Sequence, residues 1–320
     1  MNAKSRVLYL FSLTLLLGTA WNARAGNGSF TTYEIHEQNS LTQTGPSSFI
    51  AGIPNGSDQF SIVASIDSGG ASLSAAPILV LPAPTLDIPD GSITLPAGPN
   101  SEPLWSSGKG YNVYHWGDGY TTTAELNSVY GSGTFKFILG DATATPTLSL
   151  NMATPIFPIS PAVTSGGIWS NGDLLINAIT GATLTFNTSS FTGYSTGLGG
   201  QIKLELVDPA TLMPIVKPEI SQNIPSLGKT DPALTSFTIA PGFLVAGESY
   251  LFQANYSHYT GFNTTSFTGT GITGNPLGAS SYLTSTFITI EAVVPEPSTY
   301  LLLALGGLPL LMMLRRQSVR

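Results

Sequence analysis

Along the middle of this 320-residue chain, apolar and polar residues alternate in short runs. Phe60, Ile62, Ala64 and Ile66 share one parity, with Ser61, Ser65 and Asp67 between and after them. The same period of two recurs at Phe135, Phe137 and Leu139 around Lys136, and at Ile202, Leu204 and Leu206 around Lys203 and Glu205. It returns at Tyr250, Phe252, Ala254 and Tyr256, and again at Ile288, Ile290 and Ala292. A strand turns successive side chains to opposite faces, so each run predicts a strand with one face in a core. Turn chemistry separates the runs: Pro89-Asp90-Gly91, Gly117-Asp118-Gly119, Asn171-Gly172-Asp173, Gly199-Gly200 and Ala240-Pro241-Gly242. No stretch of residues 26–293 keeps a helical period for three turns without a Gly, Pro or Thr-rich break. The body therefore reads as all-β: two antiparallel β-sandwiches, Ig-like or jelly-roll, with one large jelly roll as the alternative. A boundary within Asp141–Thr147 divides it into domain 1, residues 26–145, and domain 2, residues 146–293. No period of 20 to 50 residues repeats, which argues against a solenoid or propeller.

The two ends break the pattern. Lys4 and Arg6 precede an apolar run from Val7 to Gly18, and Ala23-Arg24-Ala25 follows. A charged start, an apolar segment and an Ala-x-Ala site predict a helical signal peptide over residues 1–25, removed by signal peptidase after Ala25. The competing reading is an N-terminal anchor, for which the run is short. At the far end Val294-Pro295-Glu296-Pro297-Ser298-Thr299 leads into the apolar segment 300–314, and Arg315, Arg316 and Arg320 close the chain. As a helix that segment reaches roughly 22 Å, against about 30 Å of hydrocarbon, so it crosses only with local thinning and snorkelling arginines. The arginines would hold the C-terminus in the cytoplasm, leaving the body outside and tethered to the membrane by its tail.

Pro295-Glu296-Pro297, the following Ser298, the apolar helix and the pair Arg315 and Arg316 closely resemble the PEP-CTERM sorting signal of Gram-negative bacteria. The resemblance covers residues 294–320 only, and it carries a set of expectations. The tail would be recognised and cut by the membrane protease exosortase, and the protein would pass from a transient inner-membrane anchorage to the cell surface or an extracellular polysaccharide matrix. The logic parallels a lipid-anchor signal whose hydrophobic tail is lost. The body's second unit, with Ile168-Trp169, Leu184-Thr185-Phe186 and residues 202–207, resembles Ig-like surface modules in pattern.

Charge sharpens this picture. Six of the eleven basic residues belong to the two end segments, leaving Lys109, Lys136, Lys203, Lys217 and Lys229 in the body against seventeen acids from Glu34 to Glu291, a net charge of −12, the eighteenth acid, Glu296, lying in the tail. Such a body repels phosphate backbones and anionic membrane surfaces, which argues against nucleic acid as a partner. With no cysteine there is no disulfide, thiol nucleophile or thiolate metal site. A nucleophile elbow Gly-x-Ser-x-Gly and a phosphate-binding Gly-rich loop are absent too, and no cofactor is expected.

The segment Tyr111-Asn112-Val113-Tyr114-His115-Trp116-Gly117-Asp118 is the most crowded with functional side chains. On a strand Tyr114 and Trp116 share a face, and with Asp118 they would form a glycan-binding platform; core packing is the competing role, and Trp105 and Trp169 raise the same question. His36, His115 and His258 stand at no spacing that pairs them as metal ligands. Asp118 and Asp173 sit in turns without the alternating acids of a calcium loop. The nearest carboxylate pairs are Glu34 with Glu37 and Asp118 with Glu125, and a glycosidase needs two acids facing across a cleft. Three functions remain in order: a noncatalytic surface or matrix protein associated with exopolysaccharide, a carbohydrate-binding or adhesive module, and a polysaccharide-modifying enzyme. With neither thiolate nor paired-histidine ligands, stability is expected to come from packing. Thermal melts with and without a chelator should coincide, and a large chelator-induced drop would place a structural calcium at Asp118 or Asp173.

Overall fold

The computed structural model of the protein describes residues 32–54, 58–67, 78–95, 104–105, 111–138, 147–151, 154–178, 183–209, 214–216, 219–265 and 277–294. For Asp67, residues 104–105 and 111–116 and Asp118, the description extends to the backbone only. The signal peptide 1–25 with Ala23 and Ala25, the boundary at 145/146, and the tail from Pro295 through Arg316 lie outside the described residues. Among the described residues no helix is long and apolar enough to cross a membrane.

The chain is mostly strand. In order these are β1 (Thr32–Gly45), β2 (Ser48–Ala51), β3 (Phe60–Asp67), β4 (Ile78–Val80), β5 (Ser92–Thr94), β6 (Leu104–Trp105) and β7 (Tyr111–Tyr120). After helix α1 (Thr123–Tyr130) come β8 (Gly133–Ile138), β9 (Thr147–Leu150), β10 (Val163–Ser165), β11 (Ile168–Ser170), β12 (Asp173–Asn177) and β13 (Leu184–Thr188). The last are β14 (Gly200–Val207), β15 (Glu219–Ile224), β16 (Lys229–Thr230), β17 (Ser236–Ile239), β18 (Ser249–Asn263) and β19 (Leu277–Val293). Helix α1 is the one α-helix among the described residues, in a body that is otherwise strand and loop. Its start is a capping box, with the Thr122 hydroxyl accepting from the Glu125 N–H and the Glu125 carboxylate accepting from the Thr122 N–H. Its one buried side, Leu126 and Tyr130, is too short a signal for a three-turn period to reveal.

A single twelve-stranded sheet runs through both halves of the chain, in the order β16-β15-β14-β18-β19-β1-β3-β7-β6, with the pair β11-β12 and the strand β2 as side branches. It is mixed, which corrects the purely antiparallel expectation: β1 and β12 both run parallel to β19. Hairpin turns demand antiparallel neighbours, but β1 and β19 are joined by nearly the whole chain and are free of that demand. The Asn171-Gly172 turn between β11 and β12, by contrast, does form a hairpin, with φ of 54° and 98° at its two central residues.

Two smaller sheets lie on one face of the large sheet. The four-stranded sheet β5-β4-β8-β9 and α1 enclose the first core, where Leu79, Phe135, Phe137 and Leu126 meet Tyr33, Ile35, Ile62, Ala64 and Tyr282. The three-stranded sheet β10-β13-β17 encloses the second, where Phe186 and Phe237 meet Ile202, Leu204, Phe252, Ala254, Ile288 and Ile290. Tyr282, Ile288 and Ile290 have the same parity on β19, so both covers sit on the same side, here the front. Each fully buried Leu, Ile or Phe side chain contributes about 1.5 to 3 kcal/mol. Close approach requires glycine at two places: a Cβ on Gly278 would lie 2.4 Å from the Tyr33 ring, and one on Gly117 would lie 1.8 Å from the Tyr130 hydroxyl oxygen.

Between the two cores the front face turns polar, and the connection from β9 to β10 crosses it there. Ser280 donates to the Ser149 carbonyl at 2.9 Å, Tyr282 to the Asn151 carbonyl, and Thr284 to the Pro158 carbonyl at 2.7 Å. The Gln43 amide then grips Val163 twice, donating to its carbonyl at 3.0 Å and accepting from its N–H at 2.8 Å. Phe157 packs edge-on against Tyr282 with ring centroids 5.1 Å apart.

The opposite, back face carries the polar halves of the same alternating runs, and these are buried as well. Lys203 and Glu205 form an ion pair at 2.7 Å with both side chains fully buried. Burial pulls the lysine down and pushes the glutamate up, and each partner opposes the shift of the other. Desolvating two charges costs about as much as their attraction returns, whereas a lone buried charge is strongly destabilising. Lys203→Met or Glu205→Gln alone should therefore lower the unfolding free energy by about 3 to 5 kcal/mol. The double replacement Lys203→Met with Glu205→Leu should be much milder than the sum, as read in a denaturant double-mutant cycle.

Candidate functional site

The back face is a grid set by strand register. One row runs Gln222, Gln201, Ser257, Leu283, Gln38, Ser61 across six strands. The next runs Tyr259, Ser281, His36, Val63, and in the following row Ala279, Glu34 and Ser65 stand side by side. On the other side of the first row lie Lys203, Asn255, Ser285 and Ser40. The sequence dictates this locally: Glu34, His36, Gln38, Ser40 and Thr42 are alternate residues of β1, interleaved with the core residues Tyr33 and Ile35. Neighbours lie about 4.8 Å apart across strands and roughly 6.8 Å apart along them.

A partly open polar cavity of about 10 Å³ sits where these rows meet, lined by Glu34, His36, Gln201, Ser257, Tyr259 and Ser281, with Leu283 beside them. The Ser65 hydroxyl donates to the Glu34 carboxylate at 2.9 Å. Two groups at the cavity have no hydrogen-bond partner: the Nε2 of His36 and the hydroxyl of Tyr259, each on a side chain only 3 % exposed. Burial pushes the imidazole down to about 3, so it stays neutral, and pushes the Tyr259 phenol up, assisted by the Glu34 charge. Elsewhere on this face Gln38 Oε1, both polar atoms of the Gln222 side chain, Asn255 Nδ2 and Ser285 Oγ also lack partners. Buried polar atoms are almost always satisfied in folded proteins, so this concentration is a chemical feature of the face.

The residues expected from sequence fall as follows. In register, Tyr114 pairs with Ser65 and Trp116 with Val63, which puts both positions on back-face rows, in line with Glu34 and His36 respectively. Trp169 is half-buried against the second core. His36 lies on the back face; His258 pairs with Tyr282 on the front; and His115 pairs with Ala64, a front-face position. Glu34 and Glu37, three apart on β1, face opposite sides of the sheet, so they do not flank a common bond. Glu125 is engaged in capping α1. Asp173 is held above its ordinary range by burial and by the Glu291 charge. Among the described residues no group of three or more His, Cys, Asp or Glu converges as a metal site. Sequence reading passed over Gln201, Ser257, Tyr259 and Ser281, although the unbroken polar parity of β1 was a readable signal that this face was polar. No family model matches the chain, and no curated protein matches it.

Glu37 lies on the front face at the polar seam, in register with Tyr282 and Ile62. It is fully buried and neither carboxylate oxygen has a partner. Desolvation pushes its pKa up to about 8 from an ordinary 4.5, and burial, with the Glu37 charge as the smaller cause, pushes the Tyr282 phenol up. Between pH 4.5 and 8 the folded chain holds a proton that the unfolded chain releases, so this residue's contribution to stability falls as pH rises through that window. His36 acts at the other end: its stabilising contribution is lost as pH falls from 6.5 toward 3. Melting temperatures at pH 5 and pH 8.5 should show Glu37→Gln gaining on the wild type at the higher pH. An identical pH slope in both proteins would show that Glu37 is ionised in the fold.

Proposed function

We propose that this chain is an exported, noncatalytic protein of the cell surface or extracellular matrix, sorted by exosortase and associated with exopolysaccharide. One observation carries the reading: a basic start with an apolar run and Ala23-Arg24-Ala25, a Pro295-Glu296-Pro297 motif, an apolar segment and Arg315-Arg316 occur in order on a chain whose body contains no arginine. Glu296 between two prolines is held extended, which suits binding in a protease cleft, and the arginines stop the tail from being drawn through the membrane. The opposed faces of Glu34 and Glu37 support a noncatalytic body. The two-sandwich reading is kept in a modified form: each small sheet, with the part of the large sheet it covers, makes one layered unit.

A carbohydrate-binding role is the second reading, and it rests on Tyr114 and Trp116, two aromatic positions of the same parity on β7. The sorting reading is tested in a host containing exosortase. Glu296→Ala, or Arg315→Ser with Arg316→Ser, should accumulate as an unprocessed membrane-held form with an unchanged body, whereas the wild type loses its tail. Wild-type protein found at the cell surface with Arg320 intact would leave a simple C-terminal anchor instead.

A further inference from the structure

We propose that Glu37 and the stretch of chain lying over it form a pH-sensitive clasp on the front face. While Glu37 carries its proton, residues 154–162 lie closed across the sheet, and its ionisation lifts them with both cores still folded. The clasp is independent of the sorting reading above.

Residues 154–162 carry proline at every third place, Pro155, Pro158 and Pro161. That is the period of a polyproline II helix, and exposure follows it: Pro158 and Pro161 are buried, whereas Ile156 and Ile159 are 59 % and 47 % exposed. Such a stretch makes no internal hydrogen bonds, so its contacts with the rest of the fold hold it down. Thr284 donates to the Pro158 carbonyl at 2.7 Å. The Ala162 N–H donates to the Ser189 hydroxyl at 3.0 Å, and the Ala162 carbonyl accepts from the Ser189 N–H at 2.8 Å. The Phe157 ring has its centroid 5.1 Å from that of Tyr282 on β19 and 5.6 Å from that of Phe60 on β3. Tyr282 is the register partner of Glu37 and Phe60 that of Asn39, so the ring lies across β1 at Glu37 and Asn39.

The surroundings of Glu37 offer its charge no compensation. Along its row stand Tyr282 and then His258 on one side, and Ile62 and Gly117 on the other, where the Tyr130 phenol of α1 meets Gly117. Burial holds the His258 imidazole below its ordinary range. Tyr33, Ile35 and Asn39 share the face on β1, and neither residues 154–162 nor β9, which touches β1, contain an ionisable side chain. An ionised carboxylate here needs water, and lifting Phe157 with its proline-bearing stretch admits it while each core keeps its own cover. In the open form the carboxyl group returns to its ordinary 4.5, whereas closed it keeps its proton up to about 8. Opening therefore releases a proton between those values, becoming about tenfold more favourable per pH unit and levelling off above 8. Acid closes the clasp.

Hydrogen exchange of the full chain at pH 5.5 and 7.5, followed by mass spectrometry, reads the clasp at the Ala162 and Val163 amides, which are bonded to Ser189 and Gln43. Comparing the wild type with Glu37→Gln at each pH cancels the intrinsic pH dependence of exchange and the titration of His258. Between the two pH values the wild type should lose at least about tenfold more protection at these amides than Glu37→Gln does. At both values these amides should exchange faster than those of β8 and β13, because the clasp opens without the cores. Phe157→Ala, which unroofs the carboxyl group, should exchange fast already at pH 5.5 and lose most of the pH dependence. Equal losses of protection in wild type and Glu37→Gln would overturn the clasp. Exchange in step with β8 and β13 would overturn it too, by showing that only global unfolding brings water to Glu37.

Discussion

The structure depends on the length of β19. Seventeen residues of strand span roughly 55 Å, and its partner β18 has fifteen. The strands of the two small sheets have only three to six residues each, so neither can cover such a sheet alone. Two covers placed end to end are the consequence, and with them two cores. Where the covers meet, the front face has no apolar roof, and β19 places Thr284 and Thr286 there instead of aliphatic residues. The connection from β9 to β10 must cross this strip, and hydrogen bonds to Ser280, Tyr282, Thr284 and Gln43 hold it down. Glu37 is caught in the same strip, which explains why a carboxyl group with no partner is found inside the protein.

The back face obeys a different balance. Its side chains come from the same strands, so most apolar residues placed in a front core bring a polar neighbour to the back, with Val63, Val207, Leu251, Leu283 and Phe287 as apolar exceptions. Burial then requires that those polar groups find partners. Lys203 and Glu205 find each other because they are two residues apart on one strand and share a face. His36 and Tyr259 do not, and they leave two unpartnered polar groups at a small cavity on that face.

Much of this was legible beforehand. Apart from Leu139, which lies outside the described residues, the alternating runs named from the sequence fall on strands, and their apolar members pack in a core: Ile62 and Ala64 in the first, Ile202, Phe252 and Ile288 in the second. The turns at Asn171-Gly172 and Gly199-Gly200 likewise mark strand junctions. The helix at Thr123 was missed because eight residues give too few apolar positions to establish a period, although Thr122 and Glu125 spelled out its cap. Tyr114 and Trp116 were singled out as two positions of one parity, and the register of β7 agrees, but nothing local could say which positions of other strands stand in line with them.

Local period and turn chemistry are properties of neighbouring residues, so the sequence by itself determined the strand content, the inward parity of each strand and the distinct character of the two ends. Which strands pair is a property of residues far apart. The parallel match of β1 with β19 joins positions about 245 residues distant, from Thr32 to Leu277, and no local pattern encodes it. That pairing merged two expected sandwiches into one sheet, placed Glu34 and His36 beside Ser281, and through β18 brought Tyr259 to them. Only the tertiary structure decided that alternate polar residues from four strands would meet around one cavity, because register across strands is fixed by the packing of both cores at once.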